Sequence, residues 1–287
     1  MQKSMRVKMM KDKIKVALIL CGILLLGLIV GYVWAVNTGK VLDNKKVAFR
    51  VELKKEDVDY DMKAMLSYLK CRYEKDGFKV ADFAYAGDLY PKRLDNAGIN
   101  VFVRGLAISL DKRINEDAYN IYLTSKFVGG HIEEFRNFDE YMTVQKGLME
   151  AGKSAGLEMT YLEQGVCDIK KIDRNKATNI VYIFERNSAE LSGVVSNFSN
   201  LEKYNAIEFA KLSEEEKEEV FKRAKVVIYI VENDFIMDGH YLGFAIYDVL
   251  SYGVPVITNR QSSVYGVDGL YYFYNKEDLK NLVDRFN

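Results

Sequence analysis

The spacing of apolar residues predicts alternating strands and helices along most of the chain. Short runs of β-branched and aromatic residues predict strands, whereas apolar residues three and four apart predict helices. In the first half the predicted strands cover 46–53, 80–85, 100–103, 120–124 and 157–162, and the predicted helices cover 61–76 and 138–155. Strands that alternate with helices pair in parallel, so this half is expected to be an α/β domain.

The second half repeats this pattern after a polar stretch at 168–177. Its predicted strands cover 179–184, 206–212, 226–231 and 256–258, and its predicted helices cover 191–198, 213–224 and the apolar run that starts near Gly243. Ser213 and Glu216 have the spacing of a capping box. Gly253 and Pro255 are typical stop signals after a helix. The expected fold is therefore α/β with two Rossmann-like domains, 46–168 and 169–287.

The N-terminus has the pattern of a membrane anchor. Residues 16–36 are 21 positions without a formal charge, which is long enough for a helix to cross a bilayer. A basic tail, 1–15, precedes this segment and a linker, 37–45, follows it. A cleaved signal peptide or a lipoprotein site at Cys21 would be alternatives, but the region after the span is a poor cleavage site. Six basic residues before the span and four after it favour a cytoplasmic N-terminus and a single-pass signal-anchor, although the side of the globular body stays open.

Composition excludes several classes of function. The chain has 41 basic and 41 acidic residues, so no net field attracts a phosphate backbone and no nucleic-acid partner is expected. With two histidines, a multi-histidine metal centre is excluded, and no metal site is expected. Cys71 and Cys167 could pair, but nothing in their spacing requires a disulfide.

Candidate site residues lie in segments that follow predicted strands. The carboxyl ends of parallel strands are where α/β folds bind ligands. His131 follows two glycines and could act as a base, with a solvated turn as the alternative. Arg186 follows the strand 179–184 and could hold a phosphate, with an exposed ion pair as the alternative. The polar segment 232–241 contains Asp238 and His240.

The segment from 226 to 286 resembles a known family. The segment begins with a strand and an acidic loop, followed by an apolar helix with one carboxylate and by the sequence Ser-x-Gly-x-Pro-Val-Ile-Thr. A final strand at 270–274 then precedes Glu277-Asp278-Leu279. This order resembles the C-terminal domain of GT-B glycosyltransferases, and more narrowly glycosyltransferase group 1 and CgeB-like relatives. The matching residues are Tyr247-Asp248-Val249-Leu250-Ser251-Tyr252-Gly253.

The resemblance implies a role for each half. Domain 169–287 would bind the nucleotide-sugar and domain 46–168 the acceptor. Asp248 would accept hydrogen bonds from ribose hydroxyls, with Gly243, Ser251 and Arg186 beside the nucleotide. His131, Asp238 and His240 are the candidate catalytic residues. His240 stands where group 1 enzymes have a glutamate, and Ala245 where CgeB-like relatives have an arginine, so Arg186 is expected to supply the positive charge.

The expected function is that of a membrane-anchored glycosyltransferase of the hexosyltransferase type. It would move a sugar from a nucleotide-sugar to a surface glycan, a lipid-linked acceptor or a protein, without a cofactor beyond the donor itself. The alternative is an anchored binding or scaffolding protein that keeps the GT-B-like fold without turnover. The orientation of the anchor separates the two, because nucleotide-sugars in a bacterium are cytoplasmic.

Overall fold

The computed structural model describes residues 42–51, 53–81, 83–86, 96–103, 117–124, 138–154, 156–170, 172–185, 193–230, 243–259 and 267–286. The described residues between 44 and 286, except Asn96, belong to one compact unit. Within these ranges, no helix has the length and apolarity needed to span a bilayer. The predicted anchor, 16–36, lies outside them, as do the tail, 1–15, and most of the linker, 37–45.

The first half forms a seven-stranded sheet, here called the N-terminal sheet. Its strands are β1 (Asp43–Val51), β2 (Lys79–Val80), β3 (Ala84–Tyr85), β4 (Ala97–Val103), β5 (Tyr119–Thr124), β6 (Glu140–Thr143) and β7 (Thr160–Tyr161). The strand order is β2-β1-β4-β5-β6-β7, with β3 also on β1. Parallel pairing joins β1 to β2 and β3, and joins β4 through β7 in sequence. The described part of this half also contains a short 3₁₀ helix, Lys55–Asp57, and the α-helices α1 (Tyr60–Lys75) and α2 (Lys146–Ser154).

The second half forms a five-stranded C-terminal sheet in which every adjacent pair is parallel. Its strands are β8 (Asn179–Phe184), β9 (Leu201–Asn205), β10 (Ala224–Ile230), β11 (Val256–Thr258) and β12 (Leu270–Tyr272), in the order β12-β11-β10-β8-β9. Its helices are α3 (Ala206–Lys211), α4 (Glu214–Arg223), α5 (Phe244–Ser251) and α6 (Lys276–Asp284). The α/β class with parallel sheets is therefore confirmed.

Two of the predicted elements are wrong. The helix predicted at 138–155 is strand β6 followed by the shorter helix α2, because Glu140–Thr143 pairs in parallel with β5. The strand predicted at 206–212 is helix α3, and the neighbouring β9 takes the sheet position beside β8. Asn205 ends β9 and caps α3, since its side chain accepts a hydrogen bond from the Ile207 N–H at 2.9 Å.

The residues predicted to begin or end two of the helices agree with the structure. Ser213 and Glu216 form the predicted capping box at the start of α4, with both reciprocal hydrogen bonds present. Helix α5 begins after Gly243, whose φ is 104°. It is followed by Gly253 at φ 71°, a left-handed conformation that favours glycine over other residues. The corner predicted between the apolar helix and strand 256–258 is therefore confirmed.

Helices α1 and α5 pack together and link the cores of the two sheets. Tyr60, at the start of α1, is fully buried in the core of the C-terminal sheet, where its ring lies 4.7 Å from that of Phe209. Phe244, at the start of α5, is buried in the core of the N-terminal sheet, 5.4 Å from the ring of Tyr68. Each helix thus contributes an aromatic side chain to the other sheet's core.

A disulfide joins Cys71, on α1, to Cys167, in the segment between the two sheets. Their Cα atoms are 6.1 Å apart, within the range that a disulfide spans. No local pattern requires this bond, because the two residues are 96 positions apart and the packing of α1 brings them together.

Candidate functional site

The described candidate residues all belong to α5 or its cap. Gly243 is the N-cap residue, and Asp248 and Ser251 lie on the helix. The other candidates, His131, Arg186, Asp238 and His240, lie outside the described residues, so the structure brings together three of the seven. The roles assigned to all seven stay predictions.

The Asp248 carboxylate lies between the two halves of the molecule. Its Oδ2 accepts a hydrogen bond of 2.8 Å from the Tyr60 hydroxyl, and its Oδ1 is 3.6 Å from Lys170 Nζ. The Asp248 side chain is 20% exposed, so these contacts are only partly screened by water. Burial and the neighbouring Asp248 charge raise the pKa of Tyr60 well above its usual value. Tyr60 therefore stays a hydrogen-bond donor to Asp248 at physiological pH.

A charged cluster extends from Asp248 to the start of α4. Lys170 Nζ donates to the Tyr252 hydroxyl at 2.6 Å and to Glu214 Oε2 at 3.0 Å. Burial lowers the pKa of Lys170, but Asp248, Tyr252 and Glu214 outweigh it and the net pKa is raised. Glu214 also accepts from Lys217, whose Nζ is 2.6 Å away and whose side chain is 3% exposed. Lys170 thus remains charged opposite the carboxylates of Asp248 and Glu214.

The N-terminus of α5 is satisfied by side chains from the first half of the chain. The Gly243 N–H donates to Gln164 Oε1 at 2.9 Å, and the Ala245 N–H donates to Asp61 Oδ1 at 2.9 Å. A glycine N-cap offers no side chain of its own, so these contacts replace the usual cap. The positive end of the helix dipole, which would attract a diphosphate, faces the Asp61 carboxylate.

Ser251 is 4% exposed and serves the helix end. Its hydroxyl donates to the Asp248 carbonyl oxygen at 2.6 Å, and its own carbonyl oxygen accepts from the Lys170 N–H at 2.9 Å. Gly243, Asp248 and Ser251 therefore all contact the segment 164–170, through either Gln164 or Lys170. We call this segment the strap.

Four of these partner residues gave no signal in the sequence: Tyr60, Asp61, Gln164 and Lys170. Tyr60 lies 188 positions from Asp248 and Asp61 lies 184 from Ala245, so no local pattern relates them. The predicted helix 61–76 and the apolar helix near 243 were recognised separately. Their mutual packing, which creates the contacts, is a tertiary property.

In the part of the chain that the structure describes, a possible ion-binding cluster and a cavity both lie away from Gly243, Asp248 and Ser251. Within the described ranges, Cys71, Cys167 and Asp168 are the one group close enough to share an ion, but the disulfide leaves no thiolate there. A cavity of about 590 Å³ lies between residues 194–199 and α6, and none of the three described candidate residues lines it. The expectation of metal independence stays a prediction.

The two parallel sheets give the chain a fold similar to that of solved glycosyltransferases. A solved alpha-glucosyltransferase in complex with UDP and a 13-mer DNA containing a HMU base superposes with a TM-score of 0.58 at 11% identity, over 84% of this chain and 89% of that one. An alpha-glucosyltransferase in complex with UDP-glucose and DNA containing an abasic site gives 0.56 at 12% identity, over the same shares. No model of a protein family matches the chain, and no curated protein does.

At this identity the likeness is one of fold. It agrees with the broad resemblance to GT-B enzymes, whereas the narrower resemblance to group 1 and CgeB-like relatives stays a prediction. Because both of those alpha-glucosyltransferases are bound to DNA, the expectation that this chain has no nucleic-acid partner also stays a prediction.

Proposed function

We propose that the chain is a membrane-anchored glycosyltransferase that moves a sugar from a nucleotide-sugar to a glycan, a lipid-linked acceptor or a protein. The observation that carries this proposal is the likeness of fold, over 84% of the chain, to structures that hold UDP or UDP-glucose. The equal numbers of basic and acidic residues, 41 each, favour such an acceptor over a nucleic acid.

The donor nucleotide would bind at α5. The Asp248 carboxylate is an acceptor suited to a ribose diol, but its Oδ2 already accepts from Tyr60. A ribose hydroxyl would therefore compete with the Tyr60 hydroxyl for this carboxylate. The diphosphate would likewise compete with Asp61 at the N-terminus of α5. Charge neutralisation of the departing diphosphate and positioning of the acceptor would supply most of the catalysis.

Two variants with opposite expected effects test this site. In the full-length chain, Asp248→Asn should weaken UDP binding by about tenfold, since a charge-assisted hydrogen bond is lost. Tyr60→Phe should strengthen UDP binding by about fivefold, because the competing donor is gone while the ring remains. Isothermal titration with UDP measures both, and Glu150→Gln, an exposed carboxylate on α2, is the matched control. Folding of each variant is checked by circular dichroism.

Absence of binding by UDP and by the guanosine, adenosine and cytidine diphosphates would overturn the proposal. That outcome would favour the second candidate, a non-catalytic anchored protein with a GT-B-like fold. One observation supports this candidate: Asp248 and the start of α5 are already occupied by Tyr60, Lys170, Asp61 and Gln164.

We propose that the anchor lies at 16–36 and that the globular body is on the exported side, an orientation that fits the enzyme where nucleotide-sugars are present there, as in a Golgi-type lumen, and fits the second candidate in a bacterium. The charge bias around the span supports this orientation, and so does the disulfide between Cys71 and Cys167, because disulfides persist in oxidising compartments. A reporter fused to the C-terminus tests the placement. Reporter activity on the cytoplasmic side would contradict it.

A further inference from the structure

We propose that the Cys71–Cys167 disulfide is a redox-sensitive device that controls access to the candidate nucleotide face of α5. The strap, residues 164–170, transmits the effect, because it carries Cys167 and also contacts α5. The identity of the ligand rests on the proposed function. The conformational effect does not, since it is argued from contacts within the chain.

The disulfide is the strongest tie between the strap and α1. Both cysteines are partly exposed, so a reductant can reach them. Lys75 makes further contacts there, since its Nζ donates to the Cys167 carbonyl oxygen at 2.7 Å and pairs with Asp168 at 2.9 Å. The side chains of Lys75 and Asp168 are 54% and 69% exposed, and ion pairs at such positions stabilise little. Without the disulfide, the strap would be held to α1 weakly.

The strap contacts α5 on both sides of Cys167. Upstream, Gln164 accepts from the Gly243 N–H at 2.9 Å. Downstream, the Lys170 N–H donates to the Ser251 carbonyl oxygen at 2.9 Å, and Lys170 Nζ lies 3.6 Å from Asp248. Cys167, which the disulfide holds to α1, thus lies between the strap residues that contact the start of α5 and those that contact its end.

Reduction would loosen both groups of contacts. A dithiol reductant, the co-reactant, attacks one sulfur of the Cys71–Cys167 bond through its thiolate, and its second thiol then resolves the mixed disulfide. In total, two electrons and two protons pass to the two cysteines, and the reductant becomes a cyclic disulfide. The freed strap gains conformational entropy, so Gln164 and Lys170 leave α5 more often. The Gly243 N–H and the Asp248 carboxylate then become accessible to a ligand.

Hydrogen exchange followed by mass spectrometry tests the device in the full-length chain. A Cys21→Ser background leaves Cys71 and Cys167 as the remaining cysteines. On reduction with dithiothreitol, amides in 243–252 should exchange about five- to tenfold faster, the factor for loss of one net hydrogen bond. Amides in α6, which packs on a different part of the C-terminal sheet core, should be unchanged and serve as the internal control. A variant that also carries Cys71→Ser and Cys167→Ser should show the fast exchange with or without dithiothreitol.

Equal exchange in 243–252 before and after reduction would overturn the proposal. Equal acceleration in 243–252 and α6 would also overturn it, because the exchange would then report only the general loss of stability on removal of the cross-link and no local loosening of α5. UDP titration of the two redox forms is the second measurement, with about fivefold tighter binding expected after reduction. Equal, measurable affinities would overturn control of the site. Failure of both forms to bind UDP, with faster exchange confined to 243–252, would overturn the proposed nucleotide site but support the device.

Discussion

At the scale of single residues, Asp248 connects the two halves of the molecule, because this carboxylate of the second half accepts a hydrogen bond from Tyr60 of the first half. A hydrogen bond to a charged group contributes about 1.5–3 kcal/mol. Tyr60 makes such a bond to Asp248 at 2.8 Å from a fully buried position. The same oxygen atoms are the ones that a ribose would need. In the proposed function, binding of a nucleotide and packing of α1 on α5 would therefore compete for one side chain.

Replacing Tyr60 by Phe isolates that hydrogen bond. The ring keeps its packing against Phe209, whereas the partly buried Asp248 loses its nearest donor. We expect the free energy of unfolding in urea to fall by about 1.5–3 kcal/mol. Tyr274→Phe is the control, because Tyr274 is 67% exposed and should change stability by less than about 0.5 kcal/mol. Equal stabilities of the two variants would show that the Tyr60 hydroxyl contributes nothing.

Glu214 makes stability depend on pH in the acid range. Burial by itself raises the pKa of the Glu214 carboxyl. The hydrogen bonds and the charges of Lys217 and Lys170 lower this pKa by more, so the net pKa is about 2 instead of the ordinary 4.5. Its pKa is depressed in the folded state, so its contribution is complete above about pH 4.5 and is lost as the pH falls toward 2.

The variant Glu214→Gln removes this titration. Its melting temperature should lie below that of the parent at pH 6, and the two should converge as the pH approaches 2. Scanning calorimetry between pH 6 and pH 2 measures the difference, with Glu150→Gln as the exposed control on α2. A constant difference at every pH would contradict the assignment of the depressed pKa to Glu214.

At the scale of elements, α1 and α5 join the two sheets into one structure. Each contributes an aromatic residue to the other half's core, Tyr60 to the C-terminal sheet and Phe244 to the N-terminal sheet. Interfaces between independent domains are usually more polar. The exchange of buried rings therefore predicts that both sheets unfold together.

Phe244→Ala should lower the free energy of unfolding by about 3–5 kcal/mol, because a side chain that is 1% exposed is removed from a packed core. The parent should unfold in a single transition that near-ultraviolet dichroism and calorimetry report at the same temperature. Phe286→Ala, at a half-buried position after α6, should cost less. Two separate transitions in the parent would contradict joint unfolding.

The local pattern of the chain was enough to predict some elements and not others. Strand β8 coincides with the predicted 179–184, and the capping box of α4 was recognised from Ser213 and Glu216 alone. The prediction of a strand at 206–212 is wrong because helix α3 is a short, mostly apolar run of six residues, which periodicity alone cannot distinguish from a buried strand. Contacts such as Tyr60–Asp248 and the disulfide depend on packing over long separations. No local pattern contains them.

At the scale of the whole molecule, the disulfide relates stability to location. It closes a loop between residues 96 positions apart, and a loop of that length corresponds to about 4.7 kcal/mol in the chain-entropy account. Reduction of the purified chain should therefore lower its melting temperature by about 10 °C. The variant without Cys71 and Cys167 should melt at the reduced temperature in both conditions. No effect of dithiothreitol on the parent would contradict this contribution.

The redox state of Cys71 and Cys167 in cells indicates the compartment of the globular body, and so whether the proposed enzyme would meet a nucleotide-sugar. If the body is exported, acid quenching of the cells followed by alkylation of the denatured chain at neutral pH should leave both cysteines unmodified until a reductant is added, and mass spectrometry of peptides with 71 and 167 measures this. An exported body in a bacterium would lack a cytoplasmic nucleotide-sugar, which favours the binding or scaffolding role. Complete alkylation without a reductant would contradict export. That result would place α5 in a reducing compartment. There the reduced strap is expected to contact α5 less often, and nucleotide-sugars are present as donors.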